Sequence, residues 1–525
     1  MKINQKIFVK GTYYQKYNSI FASFISKANI KENIRPIYKL KNISDISIQD
    51  LIEKIFEHPQ FKIKENLDER ILKKYNLITR TEAFRNLHLP ENQNMLDQTI
   101  KRFKYEEAFF IIKKWQKNKK YLTFKNPLKY DIHYVKEMIK NVPFTLTEEQ
   151  KKIVNNIYSD FKKNYSTQRL IQGDVGSGKT IIVFIAALGI INLNKQVLMM
   201  APTKILAQQH YLNFKKIFPQ IETVYINSKT TQKENIKKLI QNNHYKMIFG
   251  THGLTNIDFK QLGLIIIDET HKFGQDIKNK TIAKNMQADV IYLTATPIPK
   301  TLSTIYFGLL RVSILNNKYH KENNIITQKT SFENMLSLLK QNQNRNEQTY
   351  IVVPAIKDNK KDFNIENINI FLKKRNVTNV YILHSEQKKE TQEEAMNRFI
   401  NDKKGILLAT SIIEVGIDVA NATTIIILGA EYFGLSQLHQ LRGRVGRNNK
   451  KNYCFLIYSK ENKRLNFLQK ENNGFNLSKL DFKKRGPGDF LGSKQSGFFK
   501  YNFLNISEDL PIIYQIQKDF KDLLN

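Results

Sequence analysis

Residues 169–193 read RLIQGDVGSGKTIIVFIAALGIINL. A short strand-like piece comes first, then a glycine turn, then an apolar run compatible with a helix. The turn, Gly173-Asp174-Val175-Gly176-Ser177-Gly178-Lys179-Thr180, fits G-x-x-x-x-G-K-[ST] at every fixed position. Gly173, Gly176 and Gly178 let the backbone, with Ser177 in the same turn, wrap an anion with its N–H groups pointing inward. The following helix offers its positive dipole end to the same anion. In that arrangement Lys179 reaches the β- and γ-phosphates of a nucleoside triphosphate, and the Thr180 hydroxyl holds Mg2+. The bland alternative is a glycine-rich turn with an exposed lysine. The flanking strand and helix, and the motifs further along, count against it.

Short apolar strands alternate with helical stretches on either side of this loop. RLIQG is followed by QVLMMAPT, KMIFGTHG, LGLIIIDET and DVIYLTATP. That alternation is the signature of parallel α/β architecture, in which ligands bind at the carboxyl ends of strands. A second series begins near residue 349 with TYIVVPAI, NVYILHS, GILLATS, TTIIILGA and NYCFLIYS. Two such domains are therefore expected, over 143–318 and 319–460. Residues 46–142 read as mostly helical, with apolar positions at helical spacing in DISIQDLIEKIFEH and IKRFKYEEAFFIIKKWQKN. Strand-like pieces, KIFVKG and IRPIYKL, occur in the first 45 residues, and an amphipathic tail, LPIIYQIQKDFKDLL, ends the chain.

The strand at 264–267 delivers Asp268 and Glu269 to its tip. Asp268 suits Mg2+, and Glu269 suits orienting and deprotonating an attacking water. An acidic turn after a strand is common, but a phosphate loop followed by such a pair is far more specific than either motif alone. His271, usually an ordinary residue, is placed to sense the γ-phosphate. Thr294 and Thr296 carry hydroxyls at the tip of the next strand, where they can couple the phosphate site to a neighbouring domain. In the second domain, Gln440-Leu441-Arg442-Gly443-Arg444-Val445-Gly446-Arg447 sets arginines on a glycine-punctuated turn. Read alone it is a solvated or nucleic-acid-facing helix end; beside a phosphate loop it suits phosphoryl transfer.

Composition agrees with a polyanion partner. Lys and Arg number 84 against 48 Asp and Glu, a net charge of +36, which makes a field that attracts nucleic acid. Part of that excess belongs to a Lys-, Asn- and Ile-rich composition. The single cysteine, Cys454, excludes an internal disulfide and a cysteine metal cluster. The first residues lack the apolar core of a signal peptide, and the run Ile181 to Ile191 is shorter than the roughly 18 residues of a membrane span. A cytoplasmic protein with no membrane segment is expected.

Taken together, GDVGSGKT, APTKILAQQH, DETHKFG, LTATPIPKTL, TSIIEVGIDV and QLHQLRGRVGR resemble the ordered motifs of superfamily 2 helicases. The resemblance covers about 143–460 and implies two tandem RecA-like domains, ATP and Mg2+. It implies that Gln150, in LTEEQ, reads adenine, that Asp418 lies near the nucleotide, and that Arg444 and Arg447 act as arginine fingers. Gln440 would take part in coupling. Thr203, Thr251, His252 and Thr410 would line a single-strand track.

Residues 481–497, DFKKRGPGDFLGSKQSG, resemble the translocation motif shared by the RecG family and the transcription-repair coupling factor. The match singles out Arg485 and Gln495 and implies a small translocation segment over 461–525. Arg35-Pro36-Ile37-Tyr38-Lys39-Leu40 and Arg102-Phe103-Lys104-Tyr105-Glu106-Glu107 resemble the stretch that links the RecG wedge to its motor. RecG-type helicases carry an OB-fold wedge at this end, but about 40 residues before Arg35 are too few for five strands and their loops. Residues 1–45 are therefore expected to be a shortened wedge or an N-terminally incomplete one. Thr270 also stands where the family more usually has glutamine.

The resemblance implies a 3′–5′ ATP-dependent DNA helicase or translocase that remodels stalled forks, Holliday junctions and R-loops in recombination and repair. It implies a monomer, with branched or forked DNA and a single-stranded-DNA-binding protein as partners. The rival readings are a coupling-factor-like motor and a non-catalytic DNA-binding scaffold. The presence of Lys179, Asp268, Glu269, Arg444 and Arg447 argues against the scaffold.

Overall fold

The computed structural model describes residues 7–14, 19–27, 34, 36–38, 40, 43–119, 123–227, 230, 233–295, 310–315, 325–357, 363–414, 419, 421–446, 450–459, 462–474, 476–477, 480, 502–505 and 508–524. The chain forms two compact units, one of Met1–Gln116 with Phe499–Asn525 and one of Lys117–Phe498.

The first unit opens with an antiparallel hairpin of β1 (Ile7–Tyr14) and β2 (Ser19–Lys27). The expected strand over IRPIYKL is not formed by its described residues. Pro36 has no N–H to give a ladder, and Tyr38 instead ties down helices: its amide donates to Asp45 Oδ1 at 3.0 Å and its hydroxyl bonds His88 Nδ1 at 3.0 Å. SIFASFISK supplies the second strand. Four helices follow: α1 (Asp45–Glu57), α2 (Glu69–Tyr75), α3 (Arg80–His88) and α4 (Gln93–Lys119). Ser44, Asp68 and Thr79 cap the first three, Thr79 with Glu82 as a capping box.

The RFKYEE stretch lies on α4, and every residue of it is engaged. Arg102 is fully buried, bound to Glu65 at 2.5 Å, Glu106 at 2.8 Å and the Ile78 carbonyl at 3.1 Å. Removing either carboxylate would leave a buried guanidinium short of a partner. The other side of α4 takes the end of the chain. Phe103 stacks on Phe503 at 4.5 Å, Lys104 bonds Asp509 at 2.7 Å, and Tyr105 bonds Gln515 at 3.0 Å. Glu107 accepts the backbone amides of Asn502, Phe503 and Leu504. Phe499–Asn525, expected as the end of one segment over 461–525, thus groups with the N-terminal unit.

The second unit begins with α5 (Ile132–Ile139) and α6 (Glu148–Phe161) and holds two parallel sheets. The first sheet contains β3 (Gln168–Gly173), β4 (Gln196–Met200), β5 (Thr223–Ile226), β6 (Met247–Gly250), β7 (Leu262–Ile267), β8 (Asp289–Thr294) and β9 (Arg311–Leu315) in the order β5-β6-β4-β7-β8-β3-β9. The second contains β10 (Ile325–Lys329), β11 (Gln348–Val352), β12 (Val380–Leu383), β13 (Ile406–Ala409), β14 (Ala422–Leu428) and β15 (Asn452–Ile457) in the order β10-β15-β14-β11-β13-β12. The two-lobed α/β class read from the sequence is the one observed.

Between β3 and β4 runs α7 (Lys179–Asn192), buried at every position from Ile181 to Ile191. A helix apolar on all faces belongs in an interior, which accounts for the apolar run; no helix among the described residues is long and apolar enough to cross a membrane. Between β4 and β5 runs α8 (Lys204–Ile217), capped by the Thr203 hydroxyl.

The packing of α7 on α6 makes one position exacting. A methyl group at Gly189 would stand 2.5 Å from Tyr158 Cε1, on a ring whose hydroxyl donates to the Ile185 carbonyl at 2.7 Å. Gly189→Ala gains about 1 kcal/mol of helix propensity but overpacks a full core, at about 1–3 kcal/mol. The substitution is expected to lower the urea midpoint; a raised midpoint would mean that the ring yields instead.

Candidate functional site

The sheet order aligns the five carboxyl-terminal strand ends that carry motif residues. Across β6-β4-β7-β8-β3 these ends hold Thr251, Thr203, Asp268, Thr294 and the glycine loop in turn. Asp268 therefore stands between track candidates on one side and the phosphate loop on the other.

The loop has the backbone that an anion cradle needs. Gly176 and Gly178 adopt φ of +78° and +85°, a region that side chains rarely enter. A methyl group on Gly178 would also meet Gln150 Nε2 at 2.3 Å. Gln150 is buried and bonded at both ends of its amide: its Oε1 accepts from the Thr147 amide at 2.9 Å, closing the cap of α6, and one Nε2 hydrogen is donated to the Ser177 carbonyl at 3.1 Å, which leaves its second N–H for a ligand. Lys179 Nζ donates to the carbonyls of Gly173 and Asp174 at 2.7 and 2.9 Å. The buried Ser177 hydroxyl has no hydrogen-bond partner among the described residues, as expected of a group that awaits a ligand.

Asp268 and Glu269 sit buried at the tip of β7. Glu269 has φ of +46°, a strained conformation for a residue with a side chain. Burial first, and then the charge of Asp268, push the Glu269 carboxyl up to about 7; Lys179 and Arg444 pull the other way. Burial also raises Asp268, but the hydrogen bond from His210 and the charge of Lys179 outweigh it and hold that carboxyl below its usual value. The Ala295 amide, past the tip of β8, points at Glu269 Oε2 from 3.4 Å. These residues suit Mg2+, which is commonly held by one or two carboxylates, phosphates and water. Among the described residues no group of three or more His, Cys, Asp or Glu side chains could hold a metal ion unaided.

The second lobe meets this site through the helix Leu435–Arg442 and the turn after it. Arg444 is buried and close enough to lower the Glu269 pKa. A methyl group at Gly443 would lie 3.1 Å from Val175 Cβ in the glycine loop. Sequence reasoning missed a contact that joins the two lobes. His439 Nε2 lies 2.7 Å from Asp174 Oδ1, and both side chains are buried. Arg442 Nη2 lies 2.8 Å from His439 Nδ1. Because a guanidinium only donates, Nδ1 must accept, and the ring proton must sit on Nε2, facing Asp174. Arg442 Nη1 also donates to the carbonyls of Leu468 and Glu471 at 2.8 and 3.1 Å. Asp174 occupies a free position of the loop pattern, so the pattern gave no reason to single it out.

Other expected residues lie along the same row of strand ends or in the second lobe. Thr203, Thr251 and His252 line a cleft of about 510 Å³ together with Leu383, Gln392, Glu393 and Ile412 of the second lobe. Thr410 follows β13, and its amide donates to the Leu383 carbonyl at 3.4 Å. Gln440 and Thr294 are buried. Thr180 is half-buried at the start of α7, and Thr270 is buried, with no partner for its hydroxyl among the described residues. The backbone of His271 lies in the short turn Thr270–Lys272. Thr296, Asp418, Arg447, Arg485 and Gln495 lie outside the described residues.

Residues 147–305 match the DEAD/DEAH box helicase family, and residues 330–449 match the helicase conserved C-terminal domain. The chain is 33% identical over 513 residues to the ATP-dependent DNA helicase RecG of Streptococcus pneumoniae, an alignment that covers 94% of this chain and 76% of that one. It is 32% identical over 552 residues to the protein of the same description from Borreliella burgdorferi, covering 99% and 79%. A solved structure of RecG bound to a three-way DNA junction superposes with a TM-score of 0.75 at 31% identity, covering 98% of this chain and 70% of that one.

The lobe-bridging histidine yields a direct expectation. His439→Phe keeps an aromatic ring but removes the donor to Asp174, a charge-assisted bond of about 1.5–3 kcal/mol. Nucleotide turnover should fall about tenfold or more, because 1.4 kcal/mol is a factor of ten. Unchanged turnover at saturating DNA would show that this contact does not align the lobes.

Proposed function

Because this chain belongs to the RecG family of ATP-dependent DNA helicases, we propose that it is a 3′–5′ motor that remodels branched DNA such as stalled forks, Holliday junctions and R-loops. ATP hydrolysis and DNA helicase activity follow from the family. Branched DNA as substrate is supported by the likeness to the junction-bound RecG structure and by the net charge of +36. The observation that carries the mechanism is the meeting of two lobes at one phosphate loop. Glu269 of the first lobe feels the charges of both Lys179 and Arg444.

In this reading the triphosphate lies on the turn from Gly173 to Thr180. Lys179, now bonded to loop carbonyls, turns to the β- and γ-phosphates. The Thr180 hydroxyl and Asp268 would hold Mg2+, which would supply positive charge to offset that of the phosphates. Glu269 orients the attacking water and accepts its proton; its raised pKa suits a group that must take up a proton near neutral pH. Arg444, with Arg447 beside it in sequence, stabilises the charge that builds on the transferred group. Gln150 reads adenine and, through Ser177, also stiffens the loop. Hydrolysis loosens the lobes, Thr203, Thr251, His252 and Thr410 shift their hold on a DNA strand, and the segment around Arg485 and Gln495 pulls the duplex.

The test is ATP turnover and unwinding, measured side by side on forks, four-way junctions and R-loops, and on duplexes with a single 3′ or 5′ tail. Lys179→Ala and Glu269→Gln should each lower turnover by at least about a hundredfold, the low end for loss of an electrostatic clamp on the transferring group and of a positioned general base respectively. Arg485→Ala should keep most turnover and lose unwinding. Retained turnover in both motor variants would end the assignment, and preferential opening of 5′-tailed duplexes would reverse the polarity.

A further inference from the structure

Asp268 is held from behind by a side chain that the mechanism above does not use. His210 lies on α8, buried, with Nε2 2.8 Å from Asp268 Oδ2. An ionised carboxylate only accepts, so Nε2 carries the proton and donates it. The other oxygen, Oδ1, accepts the Glu269 amide at 2.8 Å. Each carboxylate oxygen therefore has a protein donor, which sets the plane in which the remaining lone pairs point. The imidazole is itself placed by Phe184, packed edge-on at 6.5 Å between ring centroids and 85° between planes.

The other end of α8 lies somewhere else. Thr203 caps the helix, and Thr203, Lys204 and Ile205 line the cleft that also contains Thr251 and His252. Lys204 reaches across that cleft to Glu393 of the second lobe at 3.2 Å. His210 follows Thr203 by seven residues, about 10 Å along a helix axis. β4, which leads into α8, neighbours β7, and the Asp268 amide donates to the Met200 carbonyl at 2.9 Å. One stiff helix thus begins in the cleft and ends its second turn on the carboxylate.

We propose that His210 is a positioning residue. It aims Asp268 at Mg2+ and carries the occupation of the Thr203–His252 cleft by a DNA strand, through α8, to that carboxylate. The proposal rests on the reading of Asp268 as the metal ligand. A strand that displaces Lys204 from Glu393 moves the first turn of α8 and, through the rigid helix, the ring on Asp268. Linkage then requires the reverse effect: Mg2+-nucleotide must change DNA affinity by the same factor. A histidine that merely fills a core would affect neither.

The experiment uses the full chain as wild type, His210→Phe and His210→Gln. Binding of a fluorescent ATP analogue is titrated in MgCl2 and in EDTA, each with and without a forked duplex. In His210→Phe the tightening given by MgCl2 should shrink roughly tenfold to hundredfold, the scale for groups that orient metal ligands. Affinity in EDTA should stay at the wild-type value, which also reports an intact fold. His210→Gln, which keeps an N–H donor, should recover most of the loss. The effect of forked DNA on Mg2+-nucleotide affinity should shrink in parallel. Wild-type tightening by MgCl2 in His210→Phe, or an equal loss with and without MgCl2, overturns the role of His210 alone. A wild-type chain indifferent to MgCl2 overturns the metal role of Asp268 and this proposal with it.

Discussion

Two neighbouring carboxylates buried at one strand tip set the terms for the rest of the motor. Asp268 and Glu269 cannot both stay charged in a dry site without counter-charges, since like charges and burial each favour the neutral form. The fold brings help from three directions: Lys179 from the loop after β3, His210 from the helix after β4, and Arg444 from the other lobe. The result is asymmetric. Asp268 is held as an anion, while Glu269 is raised to about 7. One suits a cation and the other suits a proton, a division of labour made by surroundings rather than by residue type.

That arrangement explains why the two lobes matter as a pair. The first lobe alone supplies the loop and the carboxylates. Arg444 comes from the second, as does His439, whose ring is fixed between Asp174 and Arg442. A buried chain of bonds therefore runs from the phosphate loop through His439 and Arg442 to the carbonyls of Leu468 and Glu471. In this conformation the phosphate loop is joined through that chain to the segment after the second sheet.

Much of this was legible in the amino-acid order because parallel strands buried on both faces read as apolar runs, and their carboxyl ends carry the chemistry. GDVGSGKT, LIIIDE and QLRGRVGR each fell at such an end or in the helix beyond it. What could not be read depends on contacts between distant elements. His210 and His439 have no spacing that marks them; only the adjacency of β4 to β7, and of the two lobes, gives them partners. SIFASFISK escaped notice as a strand, while IRPIYKL drew attention despite its proline. The docking of Phe503 and Asp509 on α4 is likewise invisible in the local pattern, because the contacts join residues about 400 positions apart.

In the proposed mechanism the loop and the arginine turn part and meet in every cycle. Val175 and Gly443 face each other across that seam, and the single native cysteine, Cys454, is buried with its thiol pushed up to about 12, so it stays out of disulfide exchange. Val175→Cys with Gly443→Cys places a reversible lock there. Steady-state ATP turnover on forked DNA should stop on oxidation and return with dithiothreitol, and either single variant should be indifferent to both. A cross-linked double variant that turns over at the reduced rate would contradict the account.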